Sequence, residues 1–485
     1  MEECQRNIDN TVSTGKEDQE KIDYWKACII QCQGLITYAH RMAEEAECQA
    51  ASCTDEKRKK ELLTIAENCR VVPENPPQTF WQALQMVWFA HVYFQIAVCT
   101  TACGFGRFDQ YMWPYYKKDV IDEKNITQDE ALEMLECFYL KACEVYEVRD
   151  KWYATSFAGY PMWEILVVGG QTPDGKDATN ELSYLCLEAA NQLKTTQPVM
   201  AVRTWEGTPE ELIRKGCKMI QEGQANPGFF NDYAAMKMTL GKGCTIEEAR
   251  DWTIVGCIQP GPGGGSTDGS PDAGYVNMGK MIEFVLHNGV DPRTGKLMGL
   301  QTGDPREFKN IEEFKNIEEF KDALKKQILH HYKLVTTGYN IMQGIHMLRY
   351  PVIFASMVTK GCVESGKSVQ QGGAKYSTAG LFITGAANMA DSIAAIEKCV
   401  YEDKDITMDE LIDALDHNFE GQERMRQLLL NKPEKFGNDE AHVDGIYREM
   451  MHFIADEVQQ WPDARGGHYS FNVHSQTVNV SHGAV

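Results

Sequence analysis

The segment of this sequence best suited to chemistry is Val255-Gly-Cys-Ile-Gln-Pro-Gly-Pro-Gly-Gly-Gly265, an apolar strand running into a cysteine and then into prolines and glycines. Prolines fix φ and glycines allow close backbone approach, so Cys257 would be presented on a shaped loop. Three readings fit the composition: a reactive thiol, a buried cysteine beside a turn, and a Gly-rich phosphate cradle. The cradle is the weakest, because the Gly-Lys-Ser/Thr ending is missing and no capped helix follows at once. A thiolate nucleophile asks for a histidine, and His287, His330, His468 and His474 cannot be paired with Cys257 from sequence.

The elements that must carry such a loop are legible. Thr-x-x-Glu capping boxes at Thr127/Glu130, Thr208/Glu211, Thr245/Glu248 and Thr407/Glu410 each precede an amphipathic run and predict helix starts. Between the helices, Glu164–Gly169, Val199–Arg203 and Trp252–Val255 read as strands. Strands alternating with capped helices predict an α/β fold with much parallel sheet. Near the end, Gly467–Val480 alternates: Tyr469, Phe471 and Val473 share one face, His468, Ser470, Asn472, His474 and Gln476 the other. An exposed sheet accounts for that pattern as simply as a strand lining a wet or ligand-filled lumen. The hexapeptide Lys309–Phe314 recurs at Lys315–Phe320, a local duplication expected on a surface helix. No Ser/Gly or Pro-rich linker divides the chain, so a single domain is expected.

Composition excludes some functions. With 485 residues, 43% hydrophobic, the chain can bury a large core. A formal charge of −22 repels phosphate, so neither nucleic acid nor an anionic membrane is an expected partner, and an anionic substrate would need a local cationic pocket. The longest apolar stretch, Met86–Cys99, is broken by His91 and Gln95 and reads as a core helix. No signal-peptide pattern opens the chain, which places it in the cytoplasm with its 16 cysteines reduced. Cys28/Cys32 and Cys99/Cys103 lack a second ligand pair, so no metal site is expected.

Gly256-Cys257-Ile-Gln-Pro260, preceded by Glu248-Ala-Arg-Asp-Trp252 and followed by Asp272-Ala-Gly-Tyr-Val-Asn-Met278, resembles the active-site cysteine loop of the glycyl radical enzymes of the pyruvate formate-lyase type. Four further blocks resemble the same family in order: Gly106-Arg-Phe-Asp-Gln-Tyr-Met-Trp-Pro-Tyr115; Val168-Gly-Gly-Gln-Thr-Pro-Asp-Gly-Lys-Asp177; Gly372-Gly-Ala-Lys-Tyr376 with Asp391-Ser-Ile-Ala-Ala-Ile396; and Arg465-Gly-Gly-His-Tyr469. The resemblance implies a ten-stranded barrel of two parallel half-sheets surrounded by helices, with a cysteine finger loop meeting a glycine loop in the lumen. It implies that a stored glycyl radical takes hydrogen from Cys257 and that the thiyl radical takes hydrogen from substrate, anaerobically and in a closed cavity. The radical would be installed by a separate iron–sulfur activating enzyme that uses S-adenosylmethionine, whose Cys-x3-Cys-x2-Cys pattern is missing here.

The sequence also departs from the family. No Arg-Val-x-Gly-Tyr-like motif occurs, and both ends resemble interior positions. The expectation is therefore a fragment or split subunit: residues 1–485 as one pyruvate formate-lyase-like barrel domain, incomplete at both ends, with the glycyl radical domain absent. Where the dehydratase and amine-lyase branch has Cys-x-Glu, this chain has Gln259, which cannot exchange a proton near neutral pH. Where that branch holds substrate hydroxyls with a His-Ser pair, it has Thr101-Ala102. The expected enzyme is a glycyl radical lyase of the formate acetyltransferase-like (transferase) family, making or breaking a carbon–carbon bond in a small organic acid, arylacetate decarboxylase-like or fumarate-adding. Cys257 is the catalytic residue. Gln259, Asp272, Arg203, His468 and His474 are substrate-binding candidates, with Arg203 and Arg349 as bidentate carboxylate clamps whose alternative is an ordinary salt bridge. Asp272 falls where the dehydratases keep a substrate-facing aspartate, so dehydration of a diol or hydroxyproline is the alternative; a non-catalytic scaffold is the third. A homodimer is expected.

Overall fold

The computed structural model describes every position of the 485-residue chain other than 99–101, 147, 149, 157–161, 257, 267–271, 303–316 and 474–485, and leaves aside the side chains at 152, 153, 156, 255 and 272. The chain forms two compact units, Met1–Gly269 with His346–Ser377, and Ser270–Ile345 with Thr378–Val485. One boundary between them falls inside the continuous helix Ile317–Arg349.

In the first unit, β1 (Ile165–Gly169), β2 (Val199–Thr204) and β3 (Gly228–Asn231) make a parallel sheet in that order, joined at its β1 edge by a bridge from Gly106 to Leu166. Every residue of β1 is buried, because both faces are covered. Leu166 and Val168 pack with Phe80, Leu135 and Leu182 of the flanking helices. Ile165 and Val167 pack on the other side with Ala235, Trp252 and Ile254. Trp252 and Ile254 belong to β4 (Trp252–Val255), which forms an antiparallel hairpin with β5 (Gln259–Pro262). Composition makes β5 read as loop; it is a strand only because its backbone pairs with β4.

In the second unit, β6 (Asp272–Asn277), β7 (Thr378–Thr384) and β8 (His468–Val473) are again parallel and in chain order. Ala379, Leu381, Ile383 and Tyr469 enter a core shared with the helices Met278–Leu286, Ala386–Ile396, Met408–Asp416 and Ala441–Val458. Arg465 fixes β8 beside β7 by donating to the Thr378 carbonyl at 2.7 Å, while Asp463 accepts from the backbone of Arg465 and Gly467 at 2.9 and 2.8 Å. The alternating strand expected over Gly467–Val480 is described through Val473, with Tyr469 facing the core and His468 exposed. In the duplicated hexapeptide, the second copy places Ile317 and Phe320 in the core at the start of the long helix.

Three of the four capping boxes form: Thr127, Thr245 and Thr407 hydroxyls accept from the N3 backbone at 3.2, 3.3 and 3.2 Å. Thr208 does not cap. Pro209 occupies the cap position of Glu210–Gln221, and the Thr208 hydroxyl accepts from the Trp205 backbone at 2.9 Å instead. The apolar helix is Phe80–Val98, with Phe89 and His91 buried and Ile96 67% exposed, so only one of its faces is core. Among the described residues, no helix is long and apolar enough to cross a membrane.

Candidate active site: the cysteine hairpin

Val255 pairs with Gln259 across the hairpin, and the three intervening positions include Cys257, which lies outside the described residues. What can be built from the residues upward is the frame on either side of it.

The root of the hairpin is gripped from the sheet. Arg203, on β2, is wholly buried and donates through Nε and Nη2 to the two carboxylate oxygens of Asp232 at 2.7 and 2.9 Å. The same guanidinium donates to the carbonyls of Trp252 and Arg250 at 2.9 and 2.8 Å, and lies 4.5 Å over the Trp252 ring. Trp252 Nε1 and Gln171 Nε2 complete the shell of Asp232 at 3.1 and 3.3 Å. Burial, and then Arg107, lower the Arg203 pKa to about 10, against the pull of Asp232. Gly170 is obligatory here: its φ is +81°, and a Cβ would stand 2.4 Å from Arg203 Nε.

A second arginine repeats the device nearer the surface. Arg107 donates to Asp251 Oδ1 at 2.7 Å and to the Gln171 carbonyl at 2.8 Å. Two residues on, buried Asp109 accepts from Gly169 N and Ser183 Oγ at 2.8 and 2.5 Å; burial raises its pKa, opposed by those two bonds. The Gly-Arg-Phe-Asp, Val-Gly-Gly-Gln and Glu-Ala-Arg-Asp-Trp blocks therefore meet at one place, the base of the cysteine hairpin.

The exit of the hairpin is tied as well. Lys360 N donates to Gly264 O at 2.8 Å and Tyr376 N to Gly265 O at 2.9 Å. Glu248, whose carboxylate also closes the Thr245 box, accepts from Lys375 Nζ and Tyr376 Oη, and these bonds depress its pKa to about 2. Because the folded value lies below the ordinary 4.5, this stabilisation is complete above pH 4.5 and is lost as pH falls toward 2. The melting midpoint of Glu248→Gln is accordingly expected to lie below that of the wild type at pH 6 and to converge with it near pH 2. A gap that stays constant with pH would refute the linkage.

The candidates from sequence are distributed as follows. Gln259 is half-buried on β5, its Oε1 3.1 Å from where a Cβ on Gly256 would sit, and Ile258 beside it is 41% exposed. Asp272 opens β6 and pairs with Gly380, its side chain lying outside the described residues, and His474 lies outside them altogether. His468 is exposed at the start of β8. Arg203 takes the salt-bridge role: its four hydrogen bonds are all internal, so a carboxylate clamp would have to break them. Arg349 is exposed at the end of its helix. His287 has both ring nitrogens engaged, with Glu283 O at 2.9 Å and Asp416 at 2.7 Å. Sequence reasoning missed Arg107, Asp232 and Asp251. Two of these lie inside the family blocks, whereas Asp232 carries no signal beyond an Asn-Asp helix start.

Fold and site together define an α/β protein with parallel sheets, the first of which grips the root of the β4–β5 hairpin. A model of the pyruvate formate lyase-like proteins matches residues 1–483, and the chain belongs to that family. It is 34% identical to trans-4-hydroxy-L-proline dehydratase of Clostridioides difficile, over 95% of this chain and 57% of that protein. It is 32% identical to indoleacetate decarboxylase of Tractidigestivibacter scatoligenes, over 92% of this chain and 53% of that one. The B12-independent glycerol dehydratase of Clostridium butyricum superposes with a TM-score of 0.94 at 34% identity, covering 100% of this chain and 60% of that one. The chain thus spans little more than half the length of these relatives, which are glycyl radical enzymes.

Proposed function

We propose that this chain is the catalytic portion of a glycyl radical enzyme in which Cys257 becomes the thiyl radical that attacks a small organic acid, making or breaking a carbon–carbon bond. In this reading the two parallel sheets are halves of a ten-stranded barrel, with the hairpin as its cysteine finger. The radical is stored on a glycine outside residues 1–485 and installed by a separate S-adenosylmethionine-dependent activating enzyme. What supports the choice of reaction is Gln259: the side chain two positions from the thiol is a neutral amide, which donates and accepts hydrogen bonds but moves no proton. The anaerobic setting and a dimer of this chain go with the same reading.

Dehydration is the second reading, favoured by the names of two relatives above and by Asp272 at the start of β6. Its acid–base step needs a carboxyl group beside the thiol. The activated enzyme, offered arylacetates and fumarate with a hydrocarbon against diols and 4-hydroxyproline, is expected to turn over an acid of the first set. Gln259→Glu is expected to lower that turnover at least tenfold. Turnover of hydroxylated substrates alone would sink the carbon–carbon assignment and leave the dehydratase.

A further inference from the structure

One side of the helix Ile317–Arg349 is covered along only part of its length. In the first half of that side Phe320, Ala323 and Gln327 are buried, Gln327 donating to and accepting from the Leu300 backbone at 2.6 and 2.9 Å, and His331 stacks on Phe284 at 5.0 Å between ring centres. The same steps of three and four residues continue through Leu334, Gly338, Ile341 and Ile345, which therefore lie on the same side. There the cover stops among the described residues: Leu334 is 54%, Ile341 63% and Ile345 51% exposed, and a Cβ on Gly338 would meet nothing within 4 Å. The opposite side is held throughout. Tyr332 Oη donates to the Phe382 carbonyl at 3.0 Å, and Tyr469 Oη to the Thr336 carbonyl and Asn340 Oδ1 at 3.2 and 2.8 Å. The bare stripe is thus a fixed helical surface about 17 Å long, at about 1.5 Å per residue. Apolar residues exposed singly are ordinary, but a row of them at a 3.5-residue repeat is the seam that a second helix fills.

The charges around the stripe have one sign. No carboxylate occurs in the sequence between Asp322 and Glu364, while Lys325, Lys326, Lys333 and Arg349 all lie on this helix, in a chain whose acidic residues outnumber its basic ones by 70 to 48. Lys325 donates to Glu449 at 2.7 Å, whereas Lys326 and Lys333, one heptad apart, are exposed along one flank. An apolar seam with a cationic flank matches a helix that presents the same repeat with carboxylates beside it. A second copy of this chain would set the same cations against these, parallel or antiparallel, and is disfavoured. The solved relative that superposes with a TM-score of 0.94 has a further two-fifths of its length that this chain does not span, so polypeptide of the same fold remains to be packed.

We propose that the stripe from Leu334 to Ile345 is the docking face for an amphipathic, carboxylate-flanked helix from the part of the enzyme outside residues 1–485. The choice of occupant rests on the glycyl radical reading. In the complete enzyme, Ile345→Cys is expected to be alkylated by iodoacetamide on the order of tenfold more slowly than in the urea-unfolded protein, with peptide mass separating it from the native thiols. A zero-length carbodiimide is expected to join Lys326 or Lys333 to an aspartate or glutamate outside residues 1–485. Ile341→Asp changes an exposed position, so the chain still folds, and it is expected to abolish both the coupling and the protection. Alkylation at the unfolded rate overturns the docking. So does protection with couplings only within residues 1–485, which makes the occupant a second copy, and so does protection with no coupling, which removes the carboxylate flank. Binding to phosphatidylserine vesicles that Ile341→Asp abolishes would assign the face to a membrane instead. If Cys257→Ala retained turnover, the catalytic reading would fall while the coupling partner still decided the docking; an enzyme that turns over normally without the coupling would sink the docking alone.

Discussion

Cys257→Ala in the activated enzyme is expected to reduce turnover to background while the glycyl radical signal survives at wild-type intensity. In the proposed reading the radical is made by another protein on another segment, so its formation does not need this thiol. Its use does. The S–H bond is close in strength to the Cα–H bond of glycine, which makes hydrogen transfer between them nearly balanced, and no other side chain in the hairpin offers such a bond. Cys257→Ser is expected to be equally dead, because an O–H bond is stronger and a barrier rising by 1.36 kcal/mol already costs about tenfold in rate. Electron paramagnetic resonance and product assay on the same sample separate the two steps. Turnover persisting in either variant would remove Cys257 from the mechanism.

Asp232→Ala is expected to destabilise the first unit by about 3–5 kcal/mol, because it leaves the Arg203 guanidinium buried beside Trp252 without its counter-charge. Chemical denaturation measures this. The loss should concentrate at the hairpin root: amide exchange at Thr253, Ile254 and Gly261 should accelerate more than in the Ile165–Val168 core. The double substitution Arg203→Met with Asp232→Leu should recover most of the stability, since the cost lies in the orphaned charge rather than in the missing pair. A single-variant loss below about 1 kcal/mol would mean that water reaches the arginine and that the root is not sealed.

The sequence made the frame legible wherever local rules agree with the fold. Trp252–Val255 is a strand as its apolar run predicts, and the Thr127, Thr245 and Thr407 boxes start helices because hydroxyl and carboxylate lie within one turn of the groups they satisfy. It was silent where the deciding partner is distant. β5 is composed of turn residues and becomes a strand only by pairing with β4. Thr208 had the right spacing, but Pro209 took the cap. Arg203 looked free to hold a substrate because nothing in the chain announces that Asp232, after a crossover, will receive it. The buried hydrogen bond between His91 and Glu164 was invisible for the same reason, its members standing on a helix and before a strand far apart in the chain.

The register of the second sheet bears on how the chain is made. Tyr275 pairs with Phe382, and Leu381 with Phe471, so each β-ladder must wait for roughly 90–110 further residues to be synthesised. At about 5–20 residues per second, β6 leaves the ribosome several seconds before its neighbour exists. The first unit waits too, since Glu248 meets Lys375 and Tyr376 only after most of the second unit's β6-to-β7 span has been translated. Until then the apolar residues of β6 and its following helix have no sheet partner, and such exposed surface and unpaired edges are prone to aggregate.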